Sequence, residues 1–477
     1  MRLRVVLIAL ATTVLASGTA RAEDPAGDST IDQNAPGQPG LADDDRPRGS
    51  YVIIPPEDLP VEHGVQISRI IFLNRCAGGC TITPGSNDAR TNKSSIVQDT
   101  VTLSEFEHGD AVWNDVMACV REVYLPFDVE ITDVDPGMEL FHHEAIVAGT
   151  AVEAGLDPRI GGIAPLAGDC RAIDNVISFS FANQYGPNAL EICWTAAQET
   201  AHAFGLDHEF DCRDPMTYIP GCGQKFFRDE PIPCGETGAR QCACGGSLQN
   251  SHRKLMTTFG AGENPPPPVT TIQLPADGAS VAAGFSLYAF AADKRGVKRV
   301  EYLVNGYKWL EKPGHSDTTA YNFLAPDQLP DGYLDVEIRA FNDLEVPGSA
   351  FITVLKGAPC TSADSCLGGQ SCNDGRCAWP APTGELGDEC NIQQDCISDL
   401  CPENGGEKRC SELCNPQLTD QCGMEFDCLP AGNSGVCWPA EGEGGGCCSV
   451  GADGRAPWAE LALFGLLLGV IVRRRRR

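Results

Sequence analysis

The chain has 477 residues, room for about three domains at about 150 residues each. Its 35 Lys and Arg against 65 Asp and Glu give a formal charge of -30, which repels phosphate backbones and excludes nucleic acid as a partner. Hydrophobic residues at 42% suffice for soluble cores, and 24 Cys point to disulfides formed in an oxidising compartment outside the cytoplasm.

Residues 1–22 carry Arg2 and Arg4, an apolar run from Val5 to Ala16, and Ala20-Arg21-Ala22, the three parts of a secretory signal cut before Glu23. Residues 23–50 are rich in Asp, Gly and Pro and are expected to form a disordered leader or pro-segment. A globular region spans 51–262. Its pattern predicts a strand over 65–73, a helix over 110–124 with Val112, Val116, Cys119 and Val120 on its apolar face, and strands over 127–134, 145–148, 161–166 and 176–181. Strands alternating with a long helix predict an α/β sandwich. Gly186-Pro187 opens a second helix, with Pro at its first turn, that runs until Gly205. His142-His143, beside Glu144, reads as an ordinary polar strand edge.

The second helix carries the chemistry. Gln198 and His202 are four apart and share one face, with Glu199 beside them. The turn at Gly205 brings His208 back toward the same point, and Met216 and Tyr218 follow.

This is the pattern HExxHxxGxxH followed by a Met-turn, with Gln198 in the place of the first His. Residues 65–260 therefore resemble the metzincin zinc endopeptidases, and most closely the gametolysin-like group, whose helix begins QExxH. The resemblance implies Gln198, His202 and His208 as zinc ligands, Glu199 as general base, Met216 as the floor beneath the metal, Gly205 as the turn and Tyr218 as an oxyanion donor. It also implies that Ile160 to Gly168 is an edge strand on which an extended peptide lies. The expected activity is hydrolysis of extracellular proteins or peptides. The alternative is an inactive metzincin scaffold acting as a surface adhesin, because an amide oxygen is a poorer zinc ligand than imidazole. Calcium stays open, since no complete Asp-x-Asp-x-Asp-Gly loop occurs. Cys76 and Cys80 form a small disulfide loop in preference to a thiolate that blocks the metal. Cys193 and Cys212 are expected to brace the motif as disulfides, pairing with each other being one option.

Residues 263–268, with Pro265 to Pro268, form a stiff linker. From 269 to 357, short alternating strands and an Asn305-Gly306 hairpin signal describe a β-sandwich, which looks like the immunoglobulin-like modules appended to bacterial secreted enzymes. Residues 358–438 hold twelve Cys and are expected to be stapled by disulfides. The spacing Cys-x5-Cys opens a weak repeat there at Cys360, Cys390 and Cys422. In 439–477, Gly444 to Cys448, the apolar stretch Leu461 to Val472 and Arg473 to Arg477 together closely resemble the myxobacterial C-terminal sorting tag (MYXO-CTERM). The apolar stretch is short for a spanning helix, which needs about 20 residues. The resemblance implies processing near Cys447 or Cys448 and anchoring to the cell envelope.

Overall fold

The computed structural model describes residues 47–59, 67–315, 319–414, 422–423, 425–431 and 434–440. The expected signal, most of the leader and the C-terminal tag lie outside the described residues. Among the described residues no helix is long and apolar enough to cross a membrane.

The first region is built on a six-stranded sheet. Its strands are β1 (Tyr51–Ile54), β2 (Ile70–Asn74), β6 (Glu130–Thr132), β7 (His143–Val147), β8 (Gly162–Ala167) and β9 (Ile177–Ser180), in the order β1-β8-β9-β7-β2-β6. Its pairings are parallel except β8 against β9. Between β2 and β6 the chain forms a small sheet, β3 (Cys80–Pro84), β4 (Lys93–Ser94) and β5 (Val101–Leu103), and then helix α1 (Gly109–Tyr124). Trp113, Val116, Val120 and Tyr124 of α1 pack with Ile192, Ala196 and Ala197 of helix α2 (Ala189–Ala203) in one apolar cluster against Ile71, Leu73 and Val147. A second cluster joins Ile82 and Leu103 to Ile146, Ile163, Ile177 and Phe179. Beyond α2 come the short pair β10 (Ile232–Pro233) and β11 (Leu248–Gln249), then α3 (Ser251–Phe259).

Several expectations need correction. Residues 47–50 belong to the ordered structure: Arg48 is bridged to Ile160, its N–H donating to the Arg159 carbonyl at 3.0 Å. The polar composition of the leader hid the short apolar run Tyr51 to Ile54 that anchors it. Strand β6 is shorter than expected, because Phe127 turns back onto Tyr124 and joins the helix core. Helix α2 starts two residues after Pro187, where the Asn188 side chain accepts from Glu191 N–H, an N-cap that satisfies a free donor of the first turn.

His142 and His143 do not lie on a polar edge. β7 sits between β9 and β2 with both faces covered, so His142, His143 and Glu144 are buried. His143 Nε2 meets Ser178 Oγ at 2.9 Å, and burial, with His142 beside it, lowers its pKa to about 3. Burial raises the Glu144 pKa to about 7, against a hydrogen bond from Asn74 Nδ2.

Helix α2 ends in a Schellman turn: Leu206 N–H donates to Ala201 O at 3.2 Å and Gly205 N–H to His202 O at 2.9 Å. Gly205 has φ +88°, and a Cβ there would overlap the Cys170 carbonyl. Gly205→Ala is therefore expected to lower the urea midpoint of this region, read by Trp fluorescence, by at least about 1 kcal/mol of stability for the left-handed backbone. An unchanged midpoint would show that the turn relaxes without cost.

The sandwich has a three-stranded sheet, β12 (Val269–Leu274), β14 (Ser286–Ala292) and β17 (Ala320–Leu324), in that order. Its five-stranded sheet is ordered β13-β19-β18-β15-β16, from β13 (Ser280–Val281), β15 (Arg299–Val304), β16 (Tyr307–Pro313), β18 (Gly332–Phe341) and β19 (Pro347–Lys356). Leu287, Ala289, Val300, Tyr302, Leu334, Val336 and Ile338 are buried between the sheets, whereas Phe285 is only half-buried. Arg295 pairs with Asp343 at 2.7 Å and donates to the Phe227 carbonyl at 2.7 Å, fixing this module to the first region.

In the Cys-rich segment the pairs are Cys360–Cys372, Cys366–Cys377, Cys390–Cys401, Cys396–Cys410, Cys414–Cys428 and Cys422–Cys437. Each group of four links first to third and second to fourth. The third group opens at Cys414, one Cys earlier than the Cys422 read from the spacing, because the structural unit is the crossed pair and not the Cys-x5-Cys interval.

Candidate metal centre

The turn at Gly205 decides the geometry. It lays the Leu206 carbonyl against His202 Nδ1 at 2.7 Å and returns the chain so that His208 Nε2 comes 3.1 Å from His202 Nε2. The His208 ring is held from its other side by Glu236 Oε1, 2.9 Å from Nδ1. Each Nδ1 is thus engaged by an oxygen, which turns the two Nε2 atoms toward each other. Burial, and then the neighbouring His208, lowers the His202 pKa to about 3.

Gln198 and Glu199 arrive from α2 at the same place. Both are buried, and a Cβ on Gly49 would overlap Gln198 Oε1 and Glu199 Oε1 together. Among the described residues neither Glu199 oxygen, nor the Gln198 amide nitrogen, has a hydrogen-bond partner of normal geometry. Burial pushes the Glu199 pKa well above the carboxylate range, and the Ser50 N–H offsets only part of that. Tyr218 packs its ring 4.5 Å from the His208 ring and donates its hydroxyl to the Gly49 carbonyl; burial raises its pKa. Gln198, Glu199 and Tyr218 therefore meet at Gly49, and the Tyr218 ring joins them to His208.

Met216 is fully buried, and its carbonyl accepts Glu209 N–H at 2.7 Å, tying this turn to the segment after His208. Asp214 fixes the turn from behind, accepting from Met216 N–H and Ser251 Oγ. Cys193 and Cys212 are both in disulfides as expected, but not with each other. Cys193 pairs with Cys119 on α1, and Cys212 with Cys222, so one bridge braces the helix and the other closes the loop bearing Met216 and Tyr218. Cys76 pairs with Cys80.

Sequence reading missed a second layer of residues. Arg240 grips Asp207 through both terminal nitrogens, at 2.7 and 2.8 Å, and also holds Glu236. Asp207 accepts His208 N–H at 2.7 Å. Burial would raise the pKa values of Asp207 and Glu236, but the hydrogen bonds from Arg240, and for Glu236 from His208, hold both low. Their one visible signal was the Cys234/Cys242 pair, which forms a disulfide and closes the loop carrying Glu236 and Arg240.

The residues present fit a zinc ion. Two imidazole nitrogens bound to one tetrahedral zinc at about 2.0–2.1 Å stand about 3.3 Å apart, close to the 3.1 Å between the two Nε2 atoms. A cation between them would take both nitrogens as donors, and Gln198 stands one helical turn before His202 on the same helix.

A family model described as a bacterial Ig domain matches residues 268–337. These residues are a bacterial Ig domain. The bacterial Ig domain's strands continue past the match to Lys356. Among curated proteins none matches the chain. Solved structures with some likeness include an endo-beta-1,4-mannanase from Thermotoga petrophila, 15% identical over 22% of this chain and 23% of that one, at TM-score 0.17. The fibronectin(III)-like modules of Clostridium thermocellum CbhA are 17% identical over 19% and 46%, at 0.16. A Jonesia denitrificans lytic polysaccharide monooxygenase is 16% identical over 25% and 74%, at 0.15. The chain thus spans about a quarter of the first and under half of the second, and likenesses this slight carry no weight for its fold or function.

Proposed function

We propose that this chain is an exported, surface-displayed zinc-dependent endopeptidase of metzincin type. The observation that carries the reading is the pair of buried imidazoles with Nε2 atoms 3.1 Å apart and both Nδ1 atoms engaged elsewhere, with the buried Glu199 carboxyl on the same helix as His202. Burying a polar group without full hydrogen bonding costs roughly 2–7 kcal/mol, so such a cluster serves chemistry and not stability. Gln198, His202 and His208 would hold the ion. When bound, zinc supplies Lewis acidity toward water and toward the scissile carbonyl. Glu199 takes the proton from the attacking water and hands it to the leaving amine. The Tyr218 hydroxyl, once released from Gly49, donates to the developing carbonyl oxyanion. Glu236 and the Leu206 carbonyl keep His208 and His202 in the tautomers that present Nε2.

The test is cleavage of an unfolded protein by the purified, zinc-loaded chain: chelator should abolish it and zinc restore it. Gln198→His is expected to tighten zinc retention by about tenfold or more, since imidazole is the better donor; competition with a fluorescent chelator reads it. Unchanged retention would remove Gln198 from the ligand set. Zinc-free protein with no cleavage would leave the display scaffold as the function.

A further inference from the structure

We propose that residues 47–54 are a self-blocking strap that lies in the place of the substrate and must leave before the site acts. The inference rests on the endopeptidase reading. It begins with a correction: β8, expected to be the edge strand that receives an extended peptide, is not an edge, because β1 pairs along it in parallel register from Tyr51↔Ala164 to Ile54↔Ala167. The Gly161, Ala164 and Gly168 N–H groups donate to the carbonyls of Arg48, Ser50 and Ile54 at 2.6, 3.2 and 2.9 Å. The main-chain groups that would hold a peptide are already used by the chain itself.

The strap also closes the chemistry. Gly49 lies against Gln198 and Glu199 with no space for a side chain, and its carbonyl takes the Tyr218 hydroxyl. Tyr51 stacks its ring 5.0 and 5.1 Å from the rings of His202 and His208 and donates to Asp207 at 3.0 Å. Pro47, Arg48 and Gly49 form one wall of a cavity of about 240 Å³ that continues past Gln198 to Trp194 and Thr217. This cover explains why Glu199 is wholly buried, with the Ser50 N–H of the strap as its backbone donor. No thiolate is involved, since every Cys among the described residues is in a disulfide.

The attachment is suited to release. Val52 and Ile53 are 39% and 55% exposed, so only Tyr51 and Ile54 pack inward, and backbone hydrogen bonds worth about 1 kcal/mol each supply the rest of the hold. Activity is then scaled by the fraction of molecules with the strap open, and lifting that fraction from about 1% to about 10% raises the rate about tenfold.

The experiment compares the full, zinc-loaded chain with Gly49→Ala and Gly49→Leu. The readouts are hydrogen exchange at the Gly161, Ala164 and Gly168 amides, the rate at which EDTA strips zinc, and cleavage of a reduced, alkylated protein reporter. The expected result is a graded rise in all three, with Leu above Ala above wild type and at least about tenfold for Leu; Gly49→Ala keeps the test alive if the larger residue impairs folding. Unchanged exchange in both variants overturns the proposal, as does faster exchange with unchanged zinc stripping and unchanged cleavage. Faster exchange and stripping with no cleavage by any variant upholds the strap as a cover and sinks the endopeptidase reading instead.

Discussion

Glu199→Gln is expected to slow peptide hydrolysis by about 10²–10⁴, the usual worth of a positioned general base, while zinc content stays the same. The amide keeps the size of the side chain and its place on the second helix but cannot accept the proton of water. The substitution also removes a fully buried acid whose backbone donor is the Ser50 N–H, so folding should not suffer, because the amide carries no charge to bury and its oxygen can accept the same N–H. An unfolding midpoint equal to or above that of the parent, with activity lost and zinc retained, identifies Glu199 as a reacting group. Loss of zinc along with activity would instead make it a ligand or a structural support.

His202→Ala and His208→Ala are each expected to leave the purified chain with less than about a tenth of its zinc and no measurable hydrolysis, since two donors are too few for a closed protein site. Glu236→Gln should be graded between these and the parent, with metal affinity reduced by about 10–100-fold, the usual cost of removing the carboxylate that orients a ligating imidazole. That order follows from position: Glu236 touches His208 Nδ1 at 2.9 Å and acts through it. Zinc content of the dialysed variants, measured by elemental analysis, separates the three. Full zinc in His208→Ala would remove His208 from the centre.

The parts of the fold that were legible in the sequence are those set by local rules. The first helix spans Gly109–Tyr124, within a residue of its apolar periodicity, and the second stops where Gly205 imposes a left-handed turn. The short alternating strands marked a sandwich although Glu301 and Leu303 are buried along with Val300, Tyr302 and Val304, so this strand is covered on both faces. What sequence hid depends on contacts between distant segments. Cys193 pairs with Cys119, 74 residues away, and no spacing rule points there. His143 and Glu144 looked like a polar edge because polarity usually means water; here a central strand carries them into the core, at the expense of their ordinary ionisation. Glu236 and Arg240 sit in a glycine- and cysteine-rich loop without periodicity, so their approach to His208 is a property of the folded chain. The strap was lost for a similar reason: Arg48 to Ser50 look like the end of a polar leader until β8 supplies the ladder that orders them.

The central claim is that Gln198, His202 and His208 grip one zinc ion. Anomalous scattering at the zinc edge, from crystals of the full chain grown with excess zinc, tests it most directly. The predicted result is a single strong peak within about 2.0–2.2 Å of His202 Nε2, His208 Nε2 and Gln198 Oε1. A featureless map at that point, with the two imidazoles still 3.1 Å apart, would contradict it.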